Sequence, residues 1–269
     1  MLVAIRSACL VLALSVLGCG HTPPPPEPQA IAPREFVPSR DGWNFRNSFT
    51  GNPFPDSIRQ SPIGPLADRF GPRLGLGVPS EFGLCGGMSA AAADYWLARR
   101  EPPKRAQPPT EGDPLYEYLR QRNADSMGAA GVMAVKFIEW MGLPEQSGAP
   151  GERSTGGLSV AELRAVVERV RANGYATVGL VYVDSRTGKP WENHQVLACR
   201  VLESTANRVQ IQLYEPNHPG RDDVRLEAEI VAGKAGEEAR ITQWIGKRAR
   251  HVRGLFVMPF EARVPPGDL

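Results

Sequence analysis

The chain has 269 residues and 42% of them are hydrophobic, enough for one large domain or two small ones with real cores. Net charge is +2 and charged residues make up 22%, which excludes a polybasic nucleic-acid surface, and no DNA- or RNA-binding motif occurs. With 28 glycines and 26 prolines the body is expected to be rich in turns.

The first residues read as a targeting segment. Arg6 precedes the apolar run ACLVLALSVLG over 8–18, too short to span a membrane comfortably. The following VLGC over 16–19 resembles a bacterial lipobox, in which the cysteine is lipidated and becomes the mature N-terminus. Next comes HTPPPPEPQAIAP over 21–33, whose prolines favour an extended polyproline stretch. The expectation is a signal peptide over 1–18, a Pro-rich linker over 19–40 anchored to a membrane by lipid on Cys19, and a folded domain over 41–269. That places the protein in a bacterial cell envelope, at the outer membrane or cell surface, since Gly20 stands where an Asp marks inner-membrane retention in some bacteria.

Residues 34–66 carry aromatics without a period and read as irregular chain on the core. Helices are predicted over 88–100, 114–123 and 127–142, rich in helix formers and bounded by Gly or Pro. A fourth helix is expected to start at a capping box, Ser159 with Glu162, and to stop at Asn173-Gly174; Val160, Leu163, Val166, Val167 and Val170 recur at helical spacing. The period then changes. Strands are predicted over 176–183, 194–202, 208–215, 224–231 and 252–260, with KRARHVR over 247–253 an exposed basic edge. Helices first and antiparallel strands after define an α+β class.

Chemistry centres on Cys85, in FGLCGGMSAAAADYWLARR over 82–100. It sits at a helix start, where unpaired N–H groups and the helix dipole favour an anion and hence a thiolate. Gly86 and Gly87 allow a tight turn and close approach by a substrate, and Trp191 could wall a cleft. Downstream, His194 begins a strand whose hairpin partner ends in YEPN over 214–217. A turn near 205–206 places His194 opposite Asn217 and Val196 opposite Glu215, with both polar side chains on the His194 side. An imidazole beside an acceptor is what a Cys–His pair requires, and the spacing leaves Glu215 and Asn217 both open as that acceptor. Alternation sends Gln195, Leu197 and Cys199 to the other face, so Cys85 and Cys199 are expected to stay unbridged. His218 reads as loop polarity, and no H-x-x-x-H or C-x-x-C spacing occurs, so neither a metal nor another cofactor is called for.

The order Cys at a helix start, His beginning a strand and a polar residue ending the next strand resembles papain-like cysteine peptidases. The phrases GLCGGM, NHQVLA and YEPNHPGRDDV, with WNFRNSF near the N-terminus, are similar to those of a bacterial family of papain-fold proteins with no settled substrate; the likeness runs from Trp43 to Leu226. It implies a papain-like fold, Cys85 as nucleophile, His194 as general base, and the family's acidic position at Glu215, where the usual residue is Asp. Papain-like enzymes commonly carry a Gln a few residues before the cysteine as an oxyanion donor. PSEFGLC over 79–85 has none, which leaves Asn47, Ser80 or Asn44 as candidates beside the Cys85 N–H. The expected activity is hydrolysis of a peptide or another amide. The alternatives are acyl or amide transfer by the same pair, and a non-catalytic papain-fold binding domain on a lipoprotein stalk.

Overall fold

A computed structural model describes residues 34–54 and 80–267. The expected signal peptide, the Cys19 anchor and the polyproline stretch lie outside the described residues. The described residues form one compact unit. Phe36 is buried, with its ring 6.3 Å from Trp96 and 6.0 Å from Tyr214. The folded body therefore begins ahead of the expected boundary at residue 41, and its first short helix, α1, is Pro38–Asp41.

Four longer helices follow among the described residues. α2, Cys85–Leu97, is buried along almost its whole length, as a run of Gly and Ala permits. α3, Pro114–Ser126, has Pro at its first position, and the Asp113 cap accepts the Leu115 N–H at 2.9 Å. The helix expected over 127–142 is broken: Gly128 and Gly131 both take φ of 72°, a 3-10 turn fills Ala129–Gly131, and α4 runs only Val132–Gly142. α5, Thr155–Asn173, starts one turn ahead of the expected capping box. Its cap is Ser154, whose Oγ accepts the Gly157 N–H at 3.0 Å. Ser159 instead lies inside the helix, donating to the Thr155 carbonyl at 2.6 Å and accepting the Leu255 N–H at 3.0 Å. Gly174 ends α5 at φ 85°, a left-handed stop that suits glycine.

Among the described residues seven strands make one antiparallel sheet: β1 Ala176–Val181, β2 His194–Ser204, β3 Arg208–Tyr214, β4 Val224–Gly233, β5 Gly236–Ile245, β6 Arg248–Val252 and β7 Gly254–Val257. Their order is β6-β5-β4-β3-β2-β1-β7. β5 is not among the strands expected from the sequence, and the strand expected over 252–260 takes in the last residue of β6 together with β7. β5 hides itself because Gln243 occupies a core position in the row Ala239, Ile241, Gln243, and Glu238 is buried on the other row. The basic edge is strand β6, with Arg248 to His251 exposed.

The sheet curls around α5. Val160, Leu163, Val166 and Val170 share one apolar cluster with Val178 and Leu180 of β1, Val196 of β2, Ile241 of β5 and Leu255 of β7. In a flat sheet β1 and β5 would lie four strand spacings, roughly 19 Å, apart. Here the Tyr182 hydroxyl, just past β1, is 2.7 Å from Gln243 of β5. The opposite face of β2 meets α2 through a second cluster of Leu197, Cys199 and Tyr214 with Trp43, Phe45, Met88 and Tyr95.

Candidate active site

The β2–β3 hairpin sets the geometry. Leu197 lies opposite Tyr214 and Ala198 opposite Leu213, the register expected from the sequence. The turn itself is displaced, with Ser204 opposite Val209, and two bulges, one between Ala198 and Arg200 and one between Val201 and Glu203, restore the register before the site is reached. His194 and Glu215 consequently meet: imidazole Nε2 and carboxylate Oε1 are 2.5 Å apart, and both residues are buried. Asn217 is the more distant neighbour, its Nδ2 3.4 Å from the same nitrogen. Asn193 pins the strand start, accepting the Tyr182 N–H at 3.0 Å and donating to the Pro190 carbonyl at 3.1 Å.

Cys85, the first residue of α2, stands close enough to the His194 ring for its sulfur to bear on the ring's charge. Because Nε2 faces Glu215, Nδ1 is the nitrogen left for sulfur. Burial drives the imidazole toward its neutral form, but the Glu215 carboxylate and the Cys85 sulfur outweigh it and raise the ring to about 10. Burial likewise raises Glu215, yet the imidazolium, its hydrogen bond, the Asn217 N–H at 2.9 Å and the Gln243 amide at 2.6 Å hold it below the usual range. A buried ion pair is tolerable only when its remaining lone pairs are satisfied, and both carboxylate oxygens here have partners.

The start of α2 has two backbone donors to offer. Leu84 N–H goes to Asn47 Oδ1 at 2.6 Å, Gly87 N–H to Asn123 Oδ1 at 3.2 Å and Met88 N–H to the Leu84 carbonyl at 2.8 Å. Cys85 and Gly86, at the first helical positions, have no intrahelical acceptor. Among the side-chain oxyanion candidates, Asn47 lies at the site, with its Nδ2 given to Asn217 Oδ1 at 3.0 Å. Ser80 is exposed five residues before Cys85, and Asn44 is turned away, accepting the Arg105 N–H at 2.9 Å.

Gly86 and Gly87 face protein rather than open space. A Cβ on Gly86 would stand 2.2 Å from Ser126 Oγ and 2.5 Å from Gln195 Nε2, and one on Gly87 2.0 Å from the Leu119 carbonyl oxygen. Their role in the structure is to let α3 and β2 approach the helix start. Trp191 is 43% exposed in a 3-10 turn, Pro190–Glu192, three residues before His194. Cys85 and Cys199 are free thiols; Cys199 is buried on the far face of β2 and donates to the Gln212 carbonyl at 3.3 Å. Burial pushes its thiol well up. Among the described residues no three His, Cys, Asp or Glu side chains converge as metal ligands would.

Two site residues were missed in the sequence. Tyr182 stacks on His194, with ring centroids 6.2 Å apart and planes at 22°, and Gln243 backs Glu215. A Gln interrupting an apolar row was the available signal for the second. Comparison of the chain with protein-family models, curated proteins and solved structures found no match.

Proposed function

We propose that this protein is a papain-like cysteine hydrolase acting on a peptide or another amide. The observation that carries the reading is one buried imidazole with a carboxylate 2.5 Å from Nε2 and a helix-start cysteine whose sulfur bears on the same ring. The chain order of Cys85, His194 and Glu215 supports it as well. In this reading Cys85 sulfur attacks the substrate carbonyl and forms a tetrahedral adduct, whose oxyanion meets the Cys85 and Gly86 N–H groups. His194 gives its proton to the leaving amine as the C–N bond breaks, leaving a thioester. His194 then takes a proton from water, which adds to the thioester, and the carboxylic acid and the thiol are released. Glu215 keeps the ring oriented and stabilises its charge without itself taking the proton. The same reading anchors the protein in a bacterial envelope through lipid on Cys19.

The test is Cys85 alkylation by iodoacetamide at neutral pH, followed by peptide mapping of the full chain. Cys85 is expected to label faster than Cys199, and His194→Ala is expected to slow it. Peptide cleavage should disappear in Cys85→Ala with the fold retained. Labelling that ignores His194 would remove the catalytic pair and leave a binding domain. Transfer of the acyl group to an added amine in preference to water would move the activity to a transferase. Loss of radiolabelled palmitate from a Cys19→Ser variant checks the anchor.

A further inference from the structure

The carboxylate that meets His194 is itself held from behind. Gln243, fully buried on β5, donates from Nε2 to Glu215 Oε2 at 2.6 Å and accepts the Tyr182 O–H on Oε1 at 2.7 Å. Glu215 Oε1 already takes His194 and the Asn217 N–H, so Gln243 is the partner of the second oxygen. A glutamine amide can present either end to a carboxylate, and only the N–H end is attractive. The carboxylate, which only accepts, selects the N–H end, and the Tyr182 O–H then gives the amide oxygen its partner. Burial and the nearby Glu215 charge hold the Tyr182 phenol well above its ordinary range, so it stays a donor. The ring doing this also stacks on His194, and the Arg250 guanidinium lies 3.5 Å from its centre.

We propose that Gln243 is a positioning residue that fixes the Glu215 carboxylate on His194 Nε2, and that Tyr182 holds the Gln243 amide in place by donating to its oxygen. The brace rests on the Cys85–His194 reading and adds to it residues from strands at opposite sides of the curl. It also accounts for a polar side chain on the buried face of β5. Without the amide, a buried carboxylate oxygen loses its partner and the group is free to turn from the ring. The titratable and charged groups around the pair are Cys85 from α2, Tyr182 after β1, His218 after β3 and Arg250 on β6.

The experiment is the Cys85 alkylation rate against pH in the full chain, each variant taken as a ratio to wild type. Gln243→Leu is expected to slow it at every pH, on the order of tenfold. Gln243→Glu is expected to match wild type at acid pH, where the new carboxyl keeps a proton to donate to Glu215. It should fall to the level of Gln243→Leu as pH rises and that proton is lost. Tyr182→Phe should slow labelling by less, since the amide still donates to Glu215 but its buried oxygen loses its partner. A purely structural role for Gln243 would give Gln243→Glu a ratio that does not change with pH, and that result, with Tyr182→Phe equal to wild type, overturns the proposal. If Gln243→Leu fails to fold, Gln243→Glu and Tyr182→Phe still decide. His194→Ala in the same assay separates the two ideas. Labelling unchanged in that variant sinks the Cys–His reading and the brace with it. Labelling slowed there but normal in both Gln243 variants sinks the brace alone.

Discussion

Asn47 and Asn217 are joined by a hydrogen bond, Nδ2 to Oδ1 at 3.0 Å, and the other end of the Asn47 amide accepts the Leu84 N–H at 2.6 Å. One side chain thus ties the residue before the thiol to the residue beside the imidazole. The contact needs Gly83 bare, since a Cβ there would lie 2.6 Å from Asn47 Nδ2. Asn47→Asp keeps the acceptor for Leu84 but sets a carboxylate oxygen against Asn217 Oδ1. That forces the Asn217 amide to turn and reverses what it presents to His194. The expected result is a folded protein with severalfold slower Cys85 alkylation. Asn47→Ala loses both bonds and should cost about 1–3 kcal/mol in urea unfolding. Wild-type reactivity in both variants would show that the helix and the hairpin hold their positions without this link.

Distance separates the two candidates for the third role. Glu215 is 2.5 Å from His194 Nε2, whereas Asn217 is 3.4 Å away. Charge-assisted bonds are also about twice as strong as neutral ones. Glu215→Gln should therefore slow Cys85 alkylation on the order of tenfold at neutral pH, and Asn217→Ala by clearly less. Glu215→Asp draws the carboxylate back by one C–C bond, about 1.5 Å, and should fall between them. A larger effect at Asn217 than at Glu215 would reverse the assignment.

The main elements of this site were legible because they depend on local pattern. Cys85 stands at a helix start, His194 opens an apolar alternating run, and the period of two put Glu215 and Asn217 on its side. The register at the site end survived a misplaced turn because two bulges compensate, which no reading of the turn residues shows. Gln243 and Tyr182 depend on the curl that brings β5 to β1, a relation between distant strands. The expected α5 start is displaced because Ser154 and Ser159 are both capping residues in sequence; the Ser154 bond to Gly157 N–H and the tertiary bond from Leu255 N–H to Ser159 Oγ settle which of them is inside the helix. The glycines after Cys85 were read as room for a substrate, whereas the space above them is filled by α3 and Gln195.

That packing gives a steric prediction. A Cβ on Gly87 would meet the Leu119 carbonyl oxygen at 2.0 Å, which is backbone and cannot swing aside. Gly87→Ala must push α3 from α2 and is expected to destabilise by at least the ~1–3 kcal/mol typical of overpacking, despite the better helix propensity of Ala. Gly220→Ala is a suitable comparison, because no atom lies within 4 Å of its Cβ position, although its φ of 71° adds backbone strain. Chemical unfolding of both reads the difference. A Gly87→Ala protein as stable as wild type would mean that the α2–α3 contact is looser than this geometry.

The raised His194 ring makes stability depend on pH with a definite sign. Between its ordinary value of 6.5 and about 10 the folded protein holds a proton that the unfolded chain has released. This contribution is complete below 6.5 and is lost as pH climbs through the folded value. The comparison is Cys85→Ala against Cys85→Ala with His194→Ala, so that the two proteins differ only at the ring. Loss of the sulfur removes one of the influences that raise His194, which brings the upper end of the window below 10. Urea unfolding of the single variant should show stability falling above pH 6.5, by at most about 1.4 kcal/mol per pH unit, and the double variant should lack that slope. Glu215 acts at the other end: its carboxyl is lowered from 4.5, so its contribution is present above that value and lost as pH falls. Parallel curves for the two proteins above 6.5 would mean that the folded ring is neutral there, and the ion pair with Glu215 would have to be given up.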